Sequence, residues 1–125
     1  MTQTLKLVVI AAGAGLLASA ATAQTQSQLN ATAAREQQAA DRALNSQYTA
    51  TMNQLSPSSR TLLRNAQRAW ITFRDQQCRY ESSAVQGGSA QPMVLSGCIA
   101  RLSNERTREL RRLGQCEEGD LACPR

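Results

Sequence analysis

The chain has 125 residues, a formal net charge of +5, no histidine, four cysteines and 3% aromatic residues. That length holds one small domain whose core alone is marginal. Without histidine, and with no Cys-x-x-C spacing, the usual zinc and thiol-redox sites are excluded. A basic, aromatic-poor composition makes acidic envelope polymers or anionic lipid only weak options, and no nucleic-acid partner is expected.

The first 23 residues read as an export signal. Lys6 supplies the n-region charge, Leu7 to Leu17 the apolar h-region, and Ala21-Thr22-Ala23 the small-x-small cleavage site, so the mature chain is expected to start at Gln24. Gly13 and Gly15 interrupt the apolar run, which falls short of the roughly 18 residues a membrane span needs. No cysteine follows the small residues, which argues against lipid anchoring. The expectation is a single domain at 24–125, periplasmic or secreted, with no stable membrane anchor.

Gln24 to Ser27 are polar and expected to fray. From about Gln28 to Leu55, Ala33, Gln37, Ala40, Leu44, Tyr48, Met52 and Leu55 recur at three or four and predict one long helix. Ser56-Pro57 ends it and starts the next, with Ser56 as N-cap and proline at the first helical position. The second helix should run from Pro57 to about Ser83, with Leu62, Leu63, Ala66, Ala69, Trp70 and Phe73 on one arc. That arc covers about half the circumference, which suggests the central helix. Gly87-Gly88-Ser89 is the turn, and a third helix from about Ala90 to Leu113 carries Leu95, Ile99, Leu102, Leu110 and Leu113 and stops at Gly114, read as an αL position. With no strand pattern and no internal repeat, the fold class is all-α, a small antiparallel three-helix domain.

Four cysteines in an exported chain imply two disulfides and three formal connectivities. Gly88 lies midway between Cys78 and Cys98, and Gly119-Asp120 midway between Cys116 and Cys123, so the spacing favours a stapled helical hairpin and a small closed C-terminal loop. That loop carries Glu117, Glu118 and Asp120, the one acidic run.

Each helix breaks its apolar pattern. Asp41 and Asn45 intrude on the first stripe, Gln67 and Arg74 flank Leu63 and Trp70 on the second, and Arg106 falls between Leu95 and Leu110 on the third. Folding about Pro57 brings residue 41 near 73, and folding about Gly88 brings 106 near 70. Asp41 should therefore meet Arg74, and Arg106 should approach Trp70. An unpaired charge in a small core costs several kcal/mol. Two readings follow. One is a structural network, with Asn45 and Gln67 tying backbone or hydroxyl groups; the other is an arginine-lined, anion-binding recess. Asp75 falls on the opposite side with Arg64, Arg68 and Arg79, as an exposed ion-pair row, and Arg101, Glu105, Arg108 and Arg112 look like another solvated face. Serine and threonine hydroxyls lack a general base, and an aspartate engaged by arginine is a poor proton shuttle. No catalytic residue, cofactor or metal site is expected.

Ala66-Gln67-Arg68-Ala69-Trp70-x-x-Phe73-Arg74-Asp75-x-x-Cys78, with Asp41-x-x-Leu44-Asn45-x-x-Tyr48 before it and Cys98-x-x-x-Leu102-Ser103-x-x-Arg106 after it, resembles the secreted lysozyme-inhibitor family typified by LprI, the DUF1311-type domain. The resemblance covers most of the mature chain and implies a non-enzymatic binding protein of the cell envelope whose partner is a lysozyme-type muramidase. It does not cover the C-terminal loop, and the cysteine that the family often carries near the start of the first helix is missing here. The alternatives are a periplasmic structural or interaction module without lysozyme binding and, third, a binder of anionic polymer or lipid.

Overall fold

The computed structural model describes the backbone from residue 11 and side chains from residue 25; the expected leader and its cleavage site lie outside the described residues, apart from a helical backbone at 11–24. Helix α1 (Ala11–Asn53), helix α2 (Pro57–Glu81), a single 3-10 turn (Ser83–Val85) and helix α3 (Gln91–Gly114) follow in order, and no strand occurs among the described residues. The all-α, three-helix expectation holds. Gln24 to Ser27 do not fray as expected but continue α1, where the Gln26 amide donates to Asn30 at 3.0 Å.

The corner between α1 and α2 is built as the sequence dictates. Ser56 is extended, its Oγ accepts the Ser59 N–H at 3.3 Å, and Pro57 opens the helix where no donor is needed. Arg60 Nε donates to the Met52 carbonyl at 2.9 Å, which satisfies one of the orphan acceptors at the end of α1. Ser56→Ala removes the cap and should lower the unfolding free energy by about 1 kcal/mol in urea titrations.

At the other corner Gly87 adopts φ +78, a conformation open mainly to glycine, and its N–H is accepted by Gln91 Oε1 at 2.8 Å. Asn30 Nδ2 donates to the Ser89 carbonyl at 2.9 Å and ties this turn to α1. Residue pairs along the bundle, Asn30 with Ser89, Asp41 with Ser103 and Thr51 with Leu110, advance together, so α1 and α3 run parallel with α2 antiparallel to both.

The core is mainly an α1–α3 seam. Ala33, Ala40, Leu44 and Thr51 from α1 meet Ala100, Ser103, Thr107 and Leu110 from α3, all buried. These are mostly small residues. The hydroxyls in the seam bond to backbone, Thr51 Oγ1 to the Leu110 carbonyl at 3.2 Å and Thr107 Oγ1 to the Ser103 carbonyl at 2.8 Å, so their burial leaves no donor unpaired. Gly114 differs from its expected role. It is the last residue of α3, its φ is not positive, and a Cβ there would stand 3.2 Å from Gln54 Oε1 and 3.7 Å from Thr51 Oγ1. Its missing side chain serves close approach, not a left-handed stop.

The central helix is therefore α3, not α2. Helix α2 lies more lightly on α3 and barely packs on α1. Of the arc expected to be buried, Leu62 is 71% and Phe73 55% exposed, and Ala66 and Ala69 are exposed too, while Leu63 and Trp70 face partly inward. The reason is geometric. With a narrow seam between α1 and α3, α2 can bury only a strip of its surface, and the strip it buries centres on Gln67, Arg74 and Cys78.

Candidate functional site

That strip holds the polar groups singled out in the sequence. Arg74 Nη1 donates to Asp41 Oδ1 and to Ser103 Oγ, each at 3.2 Å, and Ser103 Oγ donates to the same Asp41 oxygen at 3.0 Å. Each helix thus contributes one member to a closed triangle. The remaining donors of Arg74, Nε and Nη2, reach Asp75 Oδ1 at 2.9 and 2.8 Å. Asp75 is not paired with Arg64, Arg68 or Arg79 in an exposed row; the guanidinium of the preceding residue takes it.

Below this triangle, the Arg106 side chain is 9% exposed, donates from Nε to Gln67 Oε1 at 3.0 Å and from Nη1 to Glu109 at 2.7 Å. Gln67 therefore holds a guanidinium, not a backbone or hydroxyl group. The Trp70 ring is shared by the two cations, with the Arg74 and Arg106 guanidinium carbons 5.5 and 5.9 Å from its centroid. Sequence reasoning placed only Arg106 on that ring. Both carry stacking distances suited to cation–π attraction. Asn45 is exposed and stands outside the network, because the α1 face beside Asp41 turns to solvent there. Among the described residues no buried side-chain nitrogen or oxygen lacks a partner.

Ser103 and Glu109 are the members that sequence reasoning missed. Ser103 lies three residues before Arg106, on the α3 face that meets α1, and that spacing is the signal the sequence offers for it.

Above the triangle, Cys78 and Cys98 are joined with their Cα atoms 5.5 Å apart, binding α2 to α3. Arg101 closes the same end, reaching Glu81 at 2.8 Å and Glu105 at 3.5 Å, which makes part of the expected α3 row real. The Gln77 amide, and then the Arg101 guanidinium, hold the Glu81 carboxyl below its ordinary value. A carboxylate so lowered favours the fold above its ordinary pKa, and that contribution fades as pH falls through the lowered value.

At the opposite end Cys116 and Cys123 are joined with Cα atoms 5.7 Å apart. The loop between them turns at Gly119, φ +90, and Asp120 Oδ1 accepts the Ala122 N–H at 2.9 Å. Glu117, Glu118 and Asp120 are exposed. Beyond the loop, Ser56 and Ser59 hydroxyls donate to the Arg125 carbonyl at 2.9 and 2.7 Å, which folds the C-terminal segment over the α1–α2 corner. Among the described residues no group of acidic, histidine or cysteine side chains is arranged to hold a metal, and no helix is long and apolar enough to cross a membrane.

Comparison with known proteins agrees with this architecture. A profile described as "Lysozyme inhibitor LprI" matches residues 18–110, and so ends before the Cys116–Cys123 loop. An uncharacterized protein of Rhizobium meliloti (strain 1021) is 36% identical over 109 residues, covering 77% of this chain and 78% of its own. The crystal structure of a DUF1311 family protein from Pseudomonas putida KT2440 superposes with a TM-score of 0.69 at 31% identity, over 72% of this chain and 94% of that one. Motif, fold and relatives coincide, and the chain belongs to the LprI (DUF1311) family.

Proposed function

We propose that this protein is an exported, non-catalytic binding protein of the cell envelope that blocks lysozyme-type muramidases. Membership of a family described by lysozyme inhibition carries the reading. Residues 1–23 act as the leader and 24–125 as the single mature domain. Two disulfides among four cysteines suit an oxidising compartment outside the cytoplasm.

The polar strip is read as scaffold. Both guanidinium groups that a recess would offer to an anion are already engaged by carboxylates, Arg74 by Asp41 and Asp75, Arg106 by Glu109. The acid–base pairs are engaged in the same way, which also supports a binding protein over an enzyme.

A chain of net charge +5 repels a basic muramidase unless a local patch of opposite sign leads the encounter. Glu117, Glu118 and Asp120 form such a patch, and the disulfide around them lowers the ordering cost of contact. The test is lysozyme turnover of cell walls in the presence of excess protein, compared with the triple variant Glu117→Gln, Glu118→Gln, Asp120→Asn. Three exposed charge pairs at roughly 0.2–1 kcal/mol each predict inhibition weakened about tenfold, with its salt dependence lost. Unchanged turnover at large molar excess sinks the inhibitor reading in favour of the interaction module. Inhibition that survives the triple variant moves the contact surface onto the helices.

A further inference from the structure

Helix α2 presents a second apolar stripe that nothing among the described residues covers. Leu62, Ala66, Ala69, Phe73 and Tyr80 recur at helical spacing along one face, about 27 Å from end to end. All five are exposed, Tyr80 at 75%. Between Leu62 and the α1–α2 corner the stripe opens into an apolar hollow of about 240 Å³, lined by Leu55, Leu63, Ala66, Leu113 and Pro124.

Charge narrows the choice of occupant. The residues that border the stripe around the helix, Ser59, Asn65, Thr72, Gln76 and Gln77, carry none, and Arg64, Arg68 and Arg79 lie about 100° or more away. Charges stand at its two ends, Glu81 after Tyr80 and Arg125 with its carbonyl on Ser59, so a strongly acidic or basic partner finds no row of counter-charge along it. For two copies of a chain with net charge +5, in contrast, this is a face on which they can meet without opposing arginines. The order of large and small residues is also self-complementary. Rotated two-fold about a point on this face level with Ile71, Phe73 falls on Ala69 of the second copy, and Tyr80 falls on Leu62 at the mouth of the hollow. Each contact then occurs twice, as a closed isologous interface requires.

We propose that two copies of this chain pair through the outer face of α2, antiparallel, with Tyr80 of each capping the apolar hollow beside Leu62 of the other. The pairing does not draw on Glu117, Glu118 or Asp120, none of which lines the hollow.

Sedimentation equilibrium of the full chain, purified with both disulfides formed, should show a monomer–dimer equilibrium between about 1 and 200 µM, and Phe73→Glu should weaken it at least tenfold. Because Phe73 and Leu62 are exposed in the single chain, Phe73→Glu and the second variant Leu62→Glu should keep the helical circular dichroism and thermal midpoint of the parent. A mixture of Leu62→Cys and Tyr80→Cys chains should cross-link, while neither cross-links alone. A parent monomeric throughout this range overturns the proposal, as does a dimer indifferent to both glutamate variants, or cross-linking by either cysteine variant alone. A monomer whose binding to a muramidase is lost in Phe73→Glu also overturns it, and assigns the face to that enzyme.

Discussion

Replacing Arg74 with alanine is expected to lower the unfolding free energy by about 2–4 kcal/mol, measured by urea denaturation. The side chain is 14% exposed and joins three helices through Asp41, Ser103 and Asp75 while stacking on Trp70. Its loss strands the Asp41 carboxylate with one hydroxyl donor and removes one of the two cations on the indole. Asp41 is 36% exposed, so water recovers part of the lost interaction, and the cost stays below that of breaking a fully buried pair, about 3–5 kcal/mol. Lysine supplies a point charge without the planar fork, so Arg74→Lys should recover less than half. Asp75, at 45% side-chain exposure, sets the contrast: Asp75→Ala should cost under about 1 kcal/mol. In a cycle combining Asp41→Ala with Arg74→Ala the double variant should cost less than the sum of the two single changes, and equal small effects at positions 74 and 75 would mean that the triangle does not hold the helices together.

The same triangle shows what sequence can and cannot reveal. The Asp41–Arg74 pair was legible because chain folding about Pro57 and Gly88 is a matter of counting, and both residues break apolar stripes. The N-cap at Ser56 and the Cys78–Cys98 register were legible for similar reasons, since each depends on local chemistry or on distance from a turn. The role of α2 was not. Its apolar residues form two stripes, Leu63 with Trp70 on one side and Leu62, Ala66, Ala69 and Phe73 on the other, and periodicity alone does not say which faces inward. What decides it is the neighbour. Ser96, Ala100, Ser103, Thr107, Leu110 and Gly114 recur at four, three, four, three and four along α3, a run of mostly small residues that lets α1 approach and pushes α2 to the flank. Weighting residue size along α3 as heavily as hydrophobicity along α2 would have placed α3 at the centre. Asn45 and Asp75 failed for a subtler reason. A wheel angle locates a side chain on its own helix, but the guanidinium of Arg74 can bend to an adjacent residue, and solvent begins wherever the next helix ends.

Removing the Cys78–Cys98 bond through the double variant Cys78→Ala, Cys98→Ala should cost about 3 kcal/mol, the loop-closure value for a separation of 20 residues. The distribution of that loss matters more than its size. Because α1 and α3 share the small-residue seam while α2 rests on α3 through a polar strip, the staple chiefly keeps α2 in place. Hydrogen exchange in the variant should therefore show α2 amides losing protection well beyond those in the buried stretches of α1 and α3, as a sub-global opening. The Cys116–Cys123 bond closes 7 residues, for which the same relation gives about 2 kcal/mol, but the loop it closes is exposed and lies beyond the seam, so its removal should chiefly free the loop locally and move the unfolding transition of the helices less than loss of the first bond. Uniform loss of protection across all three helices in the first variant would argue that α2 belongs to one cooperative core, and the seam between α1 and α3 would then not be the principal source of order in this fold.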